Sequence, residues 1–162
     1  MVFRAGEIVG FAVRIEEIGE EFYRTLAASV GNTDVKAAFD LLASEEREHI
    51  RIFKRLLDTV EKYEPPFESH SGEYEQYVKA FVQQNIFTKE RIGEFKAKKA
   101  SSEVEALEIG IDVEKDSIIF YNEMRNWVHE SEHGVIEEEK RHLTKLVDIK
   151  GKVTGLSYRS SK

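Results

Sequence analysis

The feature that most constrains this chain is an apolar stripe with steps of three and four residues, interrupted by charge in each of four long stretches. Near residues 4–29 the stripe runs Val9, Ala12, Glu16, Gly19, Tyr23, Leu26 and Val30; near 102–128 it runs Leu107, Gly110, Glu114, Ser117, Tyr121, Met124 and Val128. Steps of three and four keep residues on one face of a helix, so each list is an inward seam. The two lists agree place by place: large apolar, small, Glu, small, Tyr, large apolar, Val. Near 34–62 the seam is Phe39, Leu42, Glu46, His49, Phe53 and Leu56, and near 134–150 it is Val135, Glu139, His142, Leu146 and Ile149. Here the shared order is apolar, Glu, His, apolar. The chain therefore reads as one helical hairpin used twice.

The breaks between these stretches agree with that reading. "VGNTD" offers Gly31 as a residue just past a helix end and Thr33 or Asp34 as an N-cap, and "ESEHG" is equally short, so each half should be an antiparallel hairpin. Between the halves lie residues 63–101, opening with the turn-rich "YEPPFESHSG" and continuing into "EYEQYVKAFVQQNIF", whose amphipathic pattern predicts a short extra helix. A connection of that length can cross a bundle from end to end. The tail, 151–162, reads as loose or as docking on a partner. The expected fold is all-α: a single-domain antiparallel four-helix bundle, two αα hairpins joined by a long crossover.

Composition narrows the function classes. A net charge of -7 argues against nucleic acid or an anionic membrane as partner. No apolar run reaches the length of a membrane span, and "MVFRAGEIVG" lacks the layout of a signal peptide, which predicts a cytoplasmic protein. Cysteine is absent from the 162 residues, which removes disulfides, thiolate metal sites and cysteine nucleophiles.

The chemistry lies in the seam. A Glu and a His three apart on a helix reach the same point in a bundle interior, and "EREH" (Glu46 to His49) and "EKRH" (Glu139 to His142) each supply such a pair. With Glu16 and Glu114 facing them, the set is four carboxylates and two imidazoles. Burying an unpaired carboxylate costs several kcal/mol, so a partner, a proton or a metal is required. Two divalent cations would neutralise four carboxylates, and hard oxygens with imidazole suit iron or manganese, with zinc possible. Gly19 and Ser117 are small where a core wants bulk and leave room beside the centre. A lone Glu-x-x-His pair is weak evidence, because roughly one is expected by chance in so glutamate-rich a chain. Glu130 and His133 form such a pair off both seams and are read as chance, and His70 and His129 as surface residues. The alternative for the seam pairs, a polar network or exposed helix charge, must explain both pairs, both facing glutamates and four stripes in register. Tyr23 and Tyr121, a heptad past Glu16 and Glu114, are placed to hydrogen-bond the ligands. Glu45 and Glu48 lie off the stripe and are expected to face solvent.

"EEIGEEFY" (Glu16 to Tyr23), "EREH", "EIGIDVEKDSIIFY" (Glu108 to Tyr121) and "EKRH", in this order around a long crossover, resemble the ferritin-like di-iron carboxylate superfamily, most closely its rubrerythrin-type members. The resemblance implies a ferritin-like bundle in which Glu16, Glu46, His49, Glu114, Glu139 and His142 hold two iron ions, with Glu46 and Glu139 as bridging carboxylates. It also implies a homodimer or larger homo-oligomer, and an oxidoreductase that reduces hydrogen peroxide or dioxygen, in which Tyr23 and Tyr121 orient ligands or donate a proton. Two departures matter. Rubrerythrins carry a rubredoxin domain with iron on four cysteines; none are present here, so the electrons should come from an external donor such as a rubredoxin or reductase. Rubrerythrins also carry an additional glutamate one turn after the third-helix ligand, where this chain has Ser117. Two other classes stay open: an iron-handling ferroxidase or storage protein, and a structural or interaction protein stabilised by zinc or manganese.

Overall fold

In a computed structural model of the chain, the four stripes become the inner faces of four helices. The structure describes residues 5–62, 102–125 and 133–155, with positions 73, 76, 77 and 80 between them. The helices are α1 (Ala5–Ser29), α2 (Thr33–Lys62), α3 (Glu103–Met124) and α4 (His133–Thr154), and no strand occurs among the described residues. Glu73, Gln76, Tyr77 and Ala80 are helical, while the rest of the expected crossover helix, Val128 and the tail beyond Gly155 lie outside the described residues.

Side-chain pairs fix the directions of the helices. Lys54 and Arg47 of α2 meet Glu17 and Glu20 of α1 at 2.8 and 2.6 Å, and Lys150 and His142 of α4 stand 2.8 and 3.6 Å from Glu108 and Glu114 of α3, so each hairpin is antiparallel. These surface ion pairs report geometry more than stability, since exposed pairs contribute little. Asn32 N, at the start of α2, donates to Glu103 Oε1 at the start of α3, 2.8 Å away. The helices α2 and α3 therefore begin at the same end and run parallel. A helix of 30 residues rises about 45 Å, so the chain between Lys62 and Ser102 has to return that distance. That is the physical reason for the long crossover between two otherwise tight hairpins.

Packing follows the seam. Val9, Ala12, Tyr23, Phe39, Leu42, Phe53, Leu107, Tyr121, Met124 and Leu146 are almost wholly excluded from solvent, and burying each large apolar side chain contributes about 1.5–3 kcal/mol. Val30, Leu56 and Ile149, at the seam's outer ends, are half-buried. A second row, including Ile8, Ile15, Phe22, Ile111, Val113 and Phe120, is also buried, making the apolar face wider than a coiled-coil seam. No described helix is long and apolar enough to cross a membrane.

Two helix ends differ from expectation. The cap of α2 is Asn32, not Thr33 or Asp34: its Oδ1 accepts from Asp34 N at 3.0 Å and Val35 N at 3.2 Å, two donors that the first turn would otherwise leave unpaired. The last helix runs past Lys150 to Thr154, because Val153 still packs on the core, and stops where Gly155 takes a left-handed φ of 71°. Replacing Asn32 by alanine removes the cap and should cost about 1 kcal/mol. Thermal unfolding should show a midpoint lowered by about 2–4 °C for a chain of this size, and an unchanged midpoint would assign the capping role elsewhere.

Candidate metal centre

Each helix contributes to a single buried cluster at the middle of the bundle. Glu16 comes from α1, Glu46 and His49 from α2, Glu114 from α3, and Glu139 and His142 from α4, all at most 3% exposed. The six side chains form two groups, Glu16, Glu46, His49 and Glu139 in one, Glu46, Glu114, Glu139 and His142 in the other. In each group the four ligand atoms lie within 4.8 Å of one another, and Glu46 and Glu139 belong to both.

Both imidazoles present Nδ1 to the interior. His49 Nδ1 lies 3.0 Å from Glu139 Oε1, 3.4 Å from Glu16 Oε2 and 3.5 Å from Glu46 Oε2. His142 Nδ1 lies 3.6 Å from Glu114 Oε2 and 3.9 Å from Glu46 Oε1. Glu46 thus turns one oxygen to each imidazole, the disposition a bridging carboxylate needs. Close approach is not the same as hydrogen bonding, however. His49 Nδ1, His142 Nδ1, Glu114 Oε2 and Glu139 Oε1 are buried without a hydrogen-bond partner, although each such atom costs roughly 1–3 kcal/mol. Four orphaned atoms converging on one interior point fit a pair of cations better than a self-satisfied polar network.

The glutamates on α1 and α3 are held from the opposite hairpin. Tyr121 Oη donates to Glu16 Oε1, and Tyr23 Oη donates to Glu114 Oε1, so each carboxylate has one oxygen occupied and the other facing the centre. Phe53 stacks on Tyr121 with ring centroids 5.2 Å apart, and Phe39 on Tyr23 at 6.0 Å, which holds both phenols in place. Gly19 packs beside the same cluster: a Cβ there would stand 3.4 Å from Glu46 Cδ, an ordinary van der Waals contact. The space expected beside Gly19 is therefore taken up by the Glu46 carboxylate itself. Ser117 is buried at the equivalent place on α3.

Burial sets the electrostatics. It raises the carboxyls of Glu16 and Glu139 well above the usual range, and the charge of nearby Glu46 raises them further. Glu46 is raised by burial too, with the close approach of Glu16 and His49 working against the rise. His49 is pulled down by burial but pushed up more strongly by Glu139, Glu16 and Glu46 around it. Burial, followed by the charge of Glu114 for Tyr23 and of Glu16 for Tyr121, raises both phenols well above their ordinary value, so they keep their protons and donate. Without cations the cluster can only be occupied by protons.

The structure thus brings together all six residues singled out as metal ligands and both tyrosines. One expectation is corrected. Glu45 does not simply face solvent: it is half-buried, and its Oε2 stands 3.0 Å from His142 Nε2. Its counterpart Glu138, which sequence reasoning missed, bonds His49 Nε2 at 2.7 Å. The signal was present in the glutamate doublets that open "EEREH" and "EEKRH". Glu48 is exposed, as expected.

Four helices with a long return connection, closed around carboxylates and imidazoles, define the ferritin-like class of helical bundle. The sequence model of the rubrerythrin family matches residues 7–150, and the chain belongs to that family. A crystal structure from Thermotoga maritima, provisionally described as a ferritin-like diiron-carboxylate protein, superposes with a TM-score of 0.72 at 30% identity, over 93% of this chain and 97% of that one. No curated protein sequence matches the chain.

The raised pKa values make stability depend on pH in one direction. A carboxyl raised in the fold binds its proton more tightly there than in the unfolded chain, so stability is lost as pH rises above the unfolded value of about 4.3. His49 has the same sign: its contribution is present below about 6.5 and is lost as pH rises through its higher folded value. Protein stripped of metal should therefore unfold at progressively lower temperature from about pH 4.5 to 8, and added manganese(II) should restore the loss by displacing the protons. Circular-dichroism melts check this, and a stripped protein that gains stability over that range would contradict it.

Proposed function

We propose that the chain is a di-iron carboxylate oxidoreductase that reduces hydrogen peroxide or dioxygen, taking electrons from an external donor such as a rubredoxin or reductase and working in the cytoplasm as a homodimer or larger homo-oligomer. The observation that carries this reading is the pair of four-residue groups sharing Glu46 and Glu139, with four buried atoms left unpaired at their centre. Family membership and the diiron-carboxylate description of the T. maritima structure favour iron over manganese or zinc.

In this reading Glu16 and His49 would hold one ion, Glu114 and His142 the other, and Glu46 and Glu139, which belong to both groups, would serve both. Iron held there would supply the electrons for reducing peroxide or dioxygen. The rest is the work of the chain. The apolar seam above and below excludes bulk water, which strengthens each electrostatic contact inside. Tyr121 and Tyr23 orient Glu16 and Glu114 by donating to one oxygen of each. Ser117, buried beside the cluster, supplies no further carboxylate, so the protein ligands proposed here are these six.

Protein produced with iron should contain two irons per chain, and after anaerobic reduction it should be reoxidised by peroxide or by oxygen in stopped-flow absorption. No bound iron, or reduced iron inert to both oxidants, would end the proposal. Glu46→Ala should lose both metals, because the residue belongs to both groups, while keeping its helical circular dichroism.

A further inference from the structure

The two imidazoles are held from outside as well as from within. His49 Nε2 meets Glu138 Oε2 at 2.7 Å, and His142 Nε2 stands 3.0 Å from Glu45 Oε2. Both contacts cross between α2 and α4, and each carboxylate comes from the residue just before a shared glutamate. Their side chains are 39% and 41% exposed, so they reach the imidazoles from the solvent side of the bundle. A carboxylate can only accept, so in the neutral imidazole, the form that can ligate a metal, Nε2 carries the proton and the lone pair is left on Nδ1, the nitrogen that faces the cluster. Glu138 has a further support: its Oε1 lies 3.3 Å from Arg141 Nη2, one turn along α4.

The two contacts are also separate. Of the two imidazoles, Glu138 meets that of the group Glu16, Glu46, His49 and Glu139, and Glu45 meets that of the group Glu46, Glu114, Glu139 and His142. Resting on the di-metal reading above, we infer that Glu138 and Glu45 are positioning residues, each of which sets the tautomer and orientation of one histidine and so controls one metal position independently of the other. A carboxylate behind a histidine ligand fixes its ring and makes it a stronger donor, and losing such a partner typically weakens metal binding 10–100-fold.

The test is cobalt(II) titration of metal-stripped protein, followed by visible absorption and by competition with a chelator. Wild-type protein should bind two equivalents tightly. Glu138→Ala and Glu45→Ala should each leave one tight equivalent and weaken the other by about 10–100-fold, with a changed absorption band for the weakened ion. Glu138→Gln and Glu45→Gln keep an acceptor and should weaken that ion less. The double alanine variant should weaken both. Melting of the metal-free variants provides the control, since half-exposed carboxylates should leave the fold intact. Wild-type protein that binds no cobalt, iron or manganese would remove the di-metal reading itself. If wild type binds two ions and the single variants bind both unchanged, or lose both equally, the di-metal reading stands and the positioning roles are overturned.

Discussion

Four carboxylates in a dry helical core are the constraint from which the rest of this structure follows. Removing even one ion from water costs several kcal/mol after relaxation, so Glu16, Glu46, Glu114 and Glu139 can be buried together only if protons or cations sit among them. The surrounding apolar residues are what make this tolerable. Phe39, Leu42 and Phe53 on α2, and Leu107, Met124 and Leu146 on α3 and α4, bury enough surface for the bundle to form around a centre that opposes it. The centre can then be poised for metal without being the source of the fold.

The polar contacts at the centre share a second property: they link the two hairpins to each other. Tyr121 reaches back to Glu16 and Tyr23 forward to Glu114, while His49 meets Glu138 and His142 meets Glu45. Within each hairpin the helices touch along most of their length, but between hairpins contact is sparse. The cluster is therefore a principal joint between the halves, and whatever occupies it bears on how firmly they dock. Metal binding and bundle stability are coupled through this joint by mass action.

This division also explains what could be read from the sequence. Periodicity reports which face of a helix is inside, and that sufficed for four helices, for the six residues of the cluster and for both tyrosines. It does not report which residue of one helix meets which residue of another, because that depends on the axial offset between helices. Glu45 lies about 100° around α2 from Glu46, at the edge of the buried face, and only the position of α4 brings His142 to it. The same offset pairs Glu138 with His49. The start of α2 was ambiguous for a different reason: Asn32, Thr33 and Asp34 are all competent caps, and only the path of the backbone selects Asn32.

The tyrosines bear on what kind of metal site this can be. By occupying Oε1 of Glu16 and of Glu114, they leave each of these carboxylates one oxygen for the interior. Each four-residue group can then offer one imidazole nitrogen, one oxygen from its own glutamate and one from each of the two shared glutamates. Four donors complete the shell that zinc takes in structural sites. Iron commonly takes more, and in oxygen-activating sites it keeps positions open beside its protein ligands. The phenols thus hold ligand capacity away from the centre. The same phenols tie each glutamate to the opposite hairpin, so the number of donors a metal would find depends on how the two halves dock.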